Sequence, residues 1–165
     1  MVGPLTNTQP REGVSTMKKA VVAIDHSAVS RSLMDYAFNY AAREKDAALY
    51  FVHVIEPEKK AWPTFTGKVE DSVLRKVKEE VGAYVKEALE AFGQAVPNVS
   101  VEIRTGTPYE SILDYAEEVA ADMIMIGHRS RGAGPRRFFL GSVAAMVVAH
   151  SSCSVYVHRP RILAE

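Results

Sequence analysis

"TPYESILDYAEEVAADMIMIG", residues 107–127, changes its period part-way along, and that change decides the fold. Its first part carries Ile112, Leu113, Ala116, Val119 and Ala120 at the three- and four-residue spacing of a helix face. Thr107-Pro108-Tyr109-Glu110 reads as the start of that helix: threonine caps, proline takes the first helical position, and glutamate returns to the cap amide. From Met123 to Ile126 every residue is apolar, and the run is too short for a helix. A strand with no polar alternation needs cover on both faces, which a parallel sheet between helices supplies.

The same alternation extends to both sides. "AVVAI" (20–24) is a buried strand that ends at Asp25-His26-Ser27, and Leu33, Ala37, Tyr40 and Ala41 then mark a helix. "AALYFVHVI" (47–55) is a second strand. Residues 56–69, with Pro57, Pro63 and Gly67, read as a loop. Val73, Val77, Val81, Val85, Leu89 and Phe92 give a long amphipathic helix. In "VSVEIRT" (99–105) Val99, Val101 and Ile103 alternate with polar residues, as near a sheet edge. Beyond Gly127, Phe138, Val143, Val147 and Val148 belong to a last helix and "SVYVH" (154–158) to a last strand. The order β-α-β-α-β-α-β-α-β predicts an α/β fold with helices on both faces of a parallel sheet.

Composition narrows the class. The 165 residues are 47% hydrophobic and 24% charged, which fits one globular domain. Residues 1–16 lack apolar periodicity and read as a mobile extension before a domain spanning 17–165. No apolar run reaches membrane-spanning or signal-peptide length, so membrane insertion and export are not expected. The one cysteine, Cys153, excludes an internal disulfide and fits a cytoplasmic location. Net charge is zero, which gives no reason to expect a nucleic-acid partner. Between Asp122 and Glu165, however, six arginines stand with no acidic residue, a distribution that suggests a local anion site.

"IGHRSRGAGPRRFFLGS" (126–142) is where that site belongs. In open α/β sheets, ligands bind beyond the carboxyl ends of the strands, where connections diverge to opposite faces. Glycines let backbone amides approach an oxyanion, and a helix opening at 138–142 adds free N–H groups and a dipole end. Arginines and Ser142 add further donors. The stretch is neither a Walker loop nor a dinucleotide fingerprint, and a solvated connection remains the plainer reading.

The chain resembles the universal stress protein family over residues 17–160. The likeness rests on "KKAVVAIDHSAVS", "FVHVIEP", "TGTPYESILDYAEEVAADMIMIGHRSRG" and "LGSVAAMVVAHSSCSVYVHRP". The resemblance implies a three-layer αβα domain with a five-stranded parallel sheet in order 3-2-1-4-5, like adenine nucleotide alpha hydrolases. It also implies a homodimer formed through the last strand. Some members bind ATP, with Mg²⁺, through a pattern of Gly, two residues, Gly, nine residues, then Gly-Ser or Gly-Thr. Gly127 matches the first glycine and Gly141-Ser142 the closing pair. Asp25 matches the residue that contacts the nucleoside, Val54 the one whose backbone faces adenine, and Val143 the amide after the serine. Ile126, Arg129 and Gly132 complete the expected nucleotide-binding set.

The pattern departs at one place. Ser130 stands where the second glycine belongs, and ten residues rather than nine separate it from Gly141. Pro135 removes one amide donor within that span. The resemblance therefore implies a stress-response protein acting as an ATP-dependent switch. Two alternatives stay open: a dimeric interaction module with a degenerate loop, bound to an unknown protein partner, and a slow adenine-nucleotide hydrolase. No catalytic residue is assigned, because no nucleophile elbow, paired carboxylates or P-loop lysine is present.

Other candidates have plain roles. The five histidines show no metal-ligand spacing, so no metal site is expected. His53 reads as a packed, hydrogen-bonded core residue and His128 as a surface-loop residue. Cys153 reads as an inert small residue, and Tyr36, Phe38 and Tyr40 as packing residues.

Overall fold

The computed structural model describes residues 18–44, 46–56, 70–128 and 140–160. Its elements run β1 (Lys19–Ala23), α1 (Ala28–Arg43), β2 (Ala48–Ile55), α2 (Asp71–Phe92), β3 (Asn98–Thr105), α3 (Pro108–Glu118), β4 (Met123–Gly127), α4 (Ser142–His150) and β5 (Ser154–His158). All strand pairs are parallel, and the sheet order is β3-β2-β1-β4-β5. The alternating strand at 99–105 lies at the sheet edge, as its pattern requires.

Successive residues of a strand face opposite sides of the sheet, so each strand feeds two cores. Val22, Phe51 and Met125 pack with Leu33 and Phe38 of α1 and with Val81 and Val85 of α2. Val21, Val52 and Ile124 pack on the other face with Ile112 and Tyr115 of α3 and Val147 of α4. Val21, Val22, Ile124 and Met125 are all at 0% exposure, which is why the centres of β1 and β4 carry no polar residue. Phe38 sits between Phe51 and Phe92, with ring centroids 5.6 and 5.7 Å away. Truncating such a ring to alanine costs about 3–5 kcal/mol.

Local chemistry sets the element ends. The Asp122 carboxylate accepts the amides of Lys18 and Lys19, each at 2.9 Å, and ties the start of β1 to the turn before β4. Those two bonds hold its carboxyl below the ordinary aspartate range. Helix α2 closes at Gly93, whose φ of 71° is the left-handed conformation glycine tolerates best. Helix α3 departs from its sequence pattern. Pro108 takes the first helical position, but the Thr107 side chain makes no capping bond. Glu110 instead accepts a hydrogen bond from the Tyr109 hydroxyl at 2.9 Å, so the expected reciprocal cap is absent.

Two further packing expectations are corrected. Val73, placed on the inner stripe of α2, is 45% exposed, because the first turns of this 22-residue helix reach beyond the core. Tyr36 is 38% exposed, and stacks on Tyr156 at 4.2 Å with the ring planes within 5°. Among the described residues no helix is long and apolar enough to cross a membrane. Residues 1–17, Phe138 and residues 57–69 of the loop expected at 56–69 lie outside the described residues.

Candidate functional site

The sheet opens where its order reverses. The β1–β2 ladder ends at Ala23↔Val52, and the β1–β4 ladder at Ala23↔Ile126. Past these rungs the chain from β1 enters α1 on one face, while α4, which follows β4, packs on the other. That divergence leaves a cleft of about 700 Å³, within the roughly 300–1,000 Å³ typical of small-molecule sites.

Asp25, Val54, Ile126, Gly127, Gly141, Ser142 and Val143 all line this cleft. Residues separated by more than a hundred positions thus meet in one place. Arg129, Ser130 and Gly132 lie outside the described residues, as do Pro135 and the other loop arginines.

Asp25 is held by its own turn. Its Oδ1 accepts the amide of Ser27 at 2.9 Å and the hydroxyl of Ser30 at 2.7 Å. The Asp25 amide donates back to Ser30 Oγ at 2.9 Å. Ser27 caps α1 by accepting the amide of Ser30 at 3.2 Å. Asp25 is therefore a turn residue and a wall of the cleft at once. The signal for this network lies in the spacing Asp25-His26-Ser27 with Ser30 three residues on. Such Asp and Ser side chains favour local bonds to backbone amides at helix starts.

Val54 lines the cleft from β2 and packs at the margin of the α3 and α4 core. Ile24 donates to the Val52 carbonyl at 2.9 Å. Peptide groups two residues apart on a strand point the same way, so that of Val54 points past the end of the β1 ladder. His53 gives its Nδ1 proton to the Ile24 carbonyl at 3.0 Å, so the expected hydrogen bond is present, but the ring is half-buried and lines the cleft instead of filling the core.

Helix α4 begins at Gly141, which has no side chain to cap it. The Gly141 carbonyl accepts the amide of Ala145 at 2.9 Å, so the amides of Ser142, Val143 and Ala144 precede the first intrahelical bond. These three amides and the positive dipole end form an anion-accepting wall. Helix α1, whose start is also at the cleft, already has its Ser30 amide taken by the Ser27 hydroxyl. The acidic side chains on the described walls are Asp25 and Glu56, on the β1 and β2 side.

Elsewhere, His128 is buried and not a surface-loop residue. Its amide donates to the His158 carbonyl at 2.7 Å, one further rung of the β4–β5 ladder. His158 is buried as well; its Nε2 lies 2.9 Å from Ser32 Oγ and its Nδ1 3.3 Å from the Tyr156 hydroxyl. Burial pushes its imidazole below the ordinary histidine value. Cys153 Sγ lies 3.4 Å from Ser151 Oγ. Among the described residues no group of three His, Cys, Asp or Glu side chains is placed to hold a metal.

Comparison with known proteins extends the geometry. A universal stress protein of Methanocaldococcus jannaschii is 29% identical over 160 residues, covering 93% of this chain and 88% of the relative. The structure of universal stress protein UspA from Lactobacillus plantarum superposes with a TM-score of 0.65 at 27% identity, covering 88% of this chain and 99% of that one. Two more distant structures share the fold. One is a universal stress protein in complex with cAMP, with a TM-score of 0.62 at 22% identity, covering 89% of this chain and 100% of that one. The other is the universal stress protein from Archaeoglobus fulgidus in complex with dAMP, with a TM-score of 0.59 at 24% identity, covering 85% and 96%. Residues 16–159 match the family profile itself, and the chain belongs to the universal stress protein family.

Proposed function

We propose that the protein binds an adenine nucleotide, ATP with Mg²⁺, in the cleft between β1 and β4 and acts as a nucleotide-dependent stress-response switch. The observation that carries this reading is the convergence of Asp25, Val54, Gly127 and the uncapped start of α4 on one cleft. Asp25 offers an acceptor for ribose hydroxyls, and the Val54 peptide offers backbone groups to the edge of the base. The α4 amides take the phosphates. Charge orients the ligand the same way, because Asp25 and Glu56 repel phosphate from the β1 and β2 side. Mg²⁺ would be held through phosphate oxygens and water, since the described residues offer no ligand cluster. Relatives of this fold in complex with cAMP and dAMP support adenine as the base.

Calorimetric titration with ATP, ADP and cAMP, with and without Mg²⁺, tests this reading, together with mass spectrometry of nucleotide released from the purified protein. Saturable binding that Asp25→Ala weakens at least about tenfold, the equivalent of one charged hydrogen bond, is the expected result. No released nucleotide and no heat at millimolar ATP would reject it and leave the dimeric interaction module.

The homodimer is part of the proposal. Among the described residues β5 has a strand partner on one side only, and the neighbouring α4 leaves Val148 48% exposed. A second copy paired edge to edge would cover both. Sedimentation equilibrium at micromolar protein tests this, and a monomer there would overturn it.

A further inference from the structure

Building on the nucleotide reading, we infer that Ser30 is a positioning residue that presets the Asp25 carboxylate for recognition of ribose hydroxyls. The argument rests on donor and acceptor roles within one small ring. A backbone amide only donates, so the Asp25 N–H contact at 2.9 Å makes Ser30 Oγ an acceptor there. The hydroxyl's single proton is then directed to Asp25 Oδ1, 2.7 Å away. The ring closes through Asp25 itself. Ser30 thereby fixes both the backbone and the carboxylate of the same residue.

Burial makes the arrangement stiff. Ser30 is 4% exposed, so water does not compete for its hydroxyl. It belongs to the first turn of α1, and its own amide is held by Ser27 Oγ at 3.2 Å. The Ser27 amide adds a second donor to Asp25 Oδ1 at 2.9 Å. With the carboxylate plane set before the ligand arrives, ordering it costs little on binding, and its acceptor strength goes to the sugar. Removal of the Ser30 hydroxyl leaves Asp25 in the cleft with one of these two donors to Oδ1 gone, so the plane of its carboxylate is less firmly set. Ser30 also lines the cleft, but both hydrogen bonds of its hydroxyl go to Asp25, so loss of the hydroxyl is felt by ligands that use Asp25.

That restriction gives the test. Affinities for ATP and for 2′,3′-dideoxy-ATP, which lacks both ribose hydroxyls, are measured by calorimetry for the wild type and Ser30→Ala. Val81→Ala, a core substitution in α2 remote from the cleft, serves as the stability control. The wild type is expected to prefer ATP about tenfold or more, the range of a hydrogen bond to a charged group. In Ser30→Ala the preference falls to within about twofold, while affinity for the dideoxy analogue is unchanged. Val81→Ala lowers the melting temperature and keeps the full preference. Should Ser30→Ala not fold, Ser30→Cys, close in size and a weak donor, takes its place with the same expectation. An undiminished ATP preference in the Ser30 variant, or an equal loss for both ligands, overturns the positioning role while leaving nucleotide binding intact. A wild type that binds neither nucleotide overturns the nucleotide reading, and this inference with it.

Discussion

The Cβ that Gly127 lacks would lie 2.8 Å from Cγ1 of Val29. Helix α1 thus rests directly on the last residue of β4, at the floor of the cleft. A side chain there must displace Val29, and overpacking of this kind costs about 1–3 kcal/mol. Gly127→Ala is therefore expected to lower the urea midpoint. Adding Val29→Ala opens the space, so the double variant should be more stable than the sum of the two single losses by about 1 kcal/mol. Simple additivity in the four urea curves would show that the glycine is required for another reason.

Two helix starts that look alike in sequence should respond differently to the same change. Ser27 accepts the Ser30 amide, whereas the Thr107 side chain makes no capping bond. Ser27→Ala is expected to cost about 1 kcal/mol. Thr107→Ala should stay within about 0.5 kcal/mol of wild type, as for an ordinary surface substitution. Chemical denaturation of the two variants side by side distinguishes them, and equal losses would contradict the capping geometry.

His158 makes stability depend on mild acid. Its folded-state pKa lies below the ordinary value because the buried ring resists charging. Above the unfolded value, about 6.5, both states are neutral and the full stability is present. As pH falls below that, the unfolded chain takes up the proton first, and stability is lost until the folded-state pKa is reached. Urea midpoints should therefore fall between pH 7.5 and pH 5.5, and His158→Gln should shrink that fall. An unchanged pH dependence in the variant would place the proton uptake elsewhere.

How much of this was legible in the sequence differs from element to element. The apolar runs at 20–24 and 123–127 name the two strands covered on both faces, because continuous burial leaves no polar alternation. The edge position of 99–105 follows from its alternation in the same way. Thr107 and Glu110 were misleading because a capping box is a preference of residue types, and the Tyr109 hydroxyl competes for the same carboxylate. The burial of His128 was hidden because it depends on a rung with His158, thirty residues away. At the cleft, the residues matched to the nucleotide pattern at Asp25, Val54, Gly127 and Gly141–Val143 do converge. The part played by Ser30 is not legible in the sequence, because residue type alone does not say which way a hydroxyl proton points.

Ala20, Val21 and Val22 of β1 pair with strands on both edges and are fully buried. Their amides therefore have no local route to solvent. Hydrogen exchange at Val21 and Val22 should proceed only through opening of the whole domain, and its rate would report the global unfolding free energy directly. Strand β5, paired on one side alone among the described residues, would exchange through smaller openings. One short strand at the centre of the sheet thus serves as the internal standard against which every local fluctuation of the molecule, including those around the cleft, can be measured.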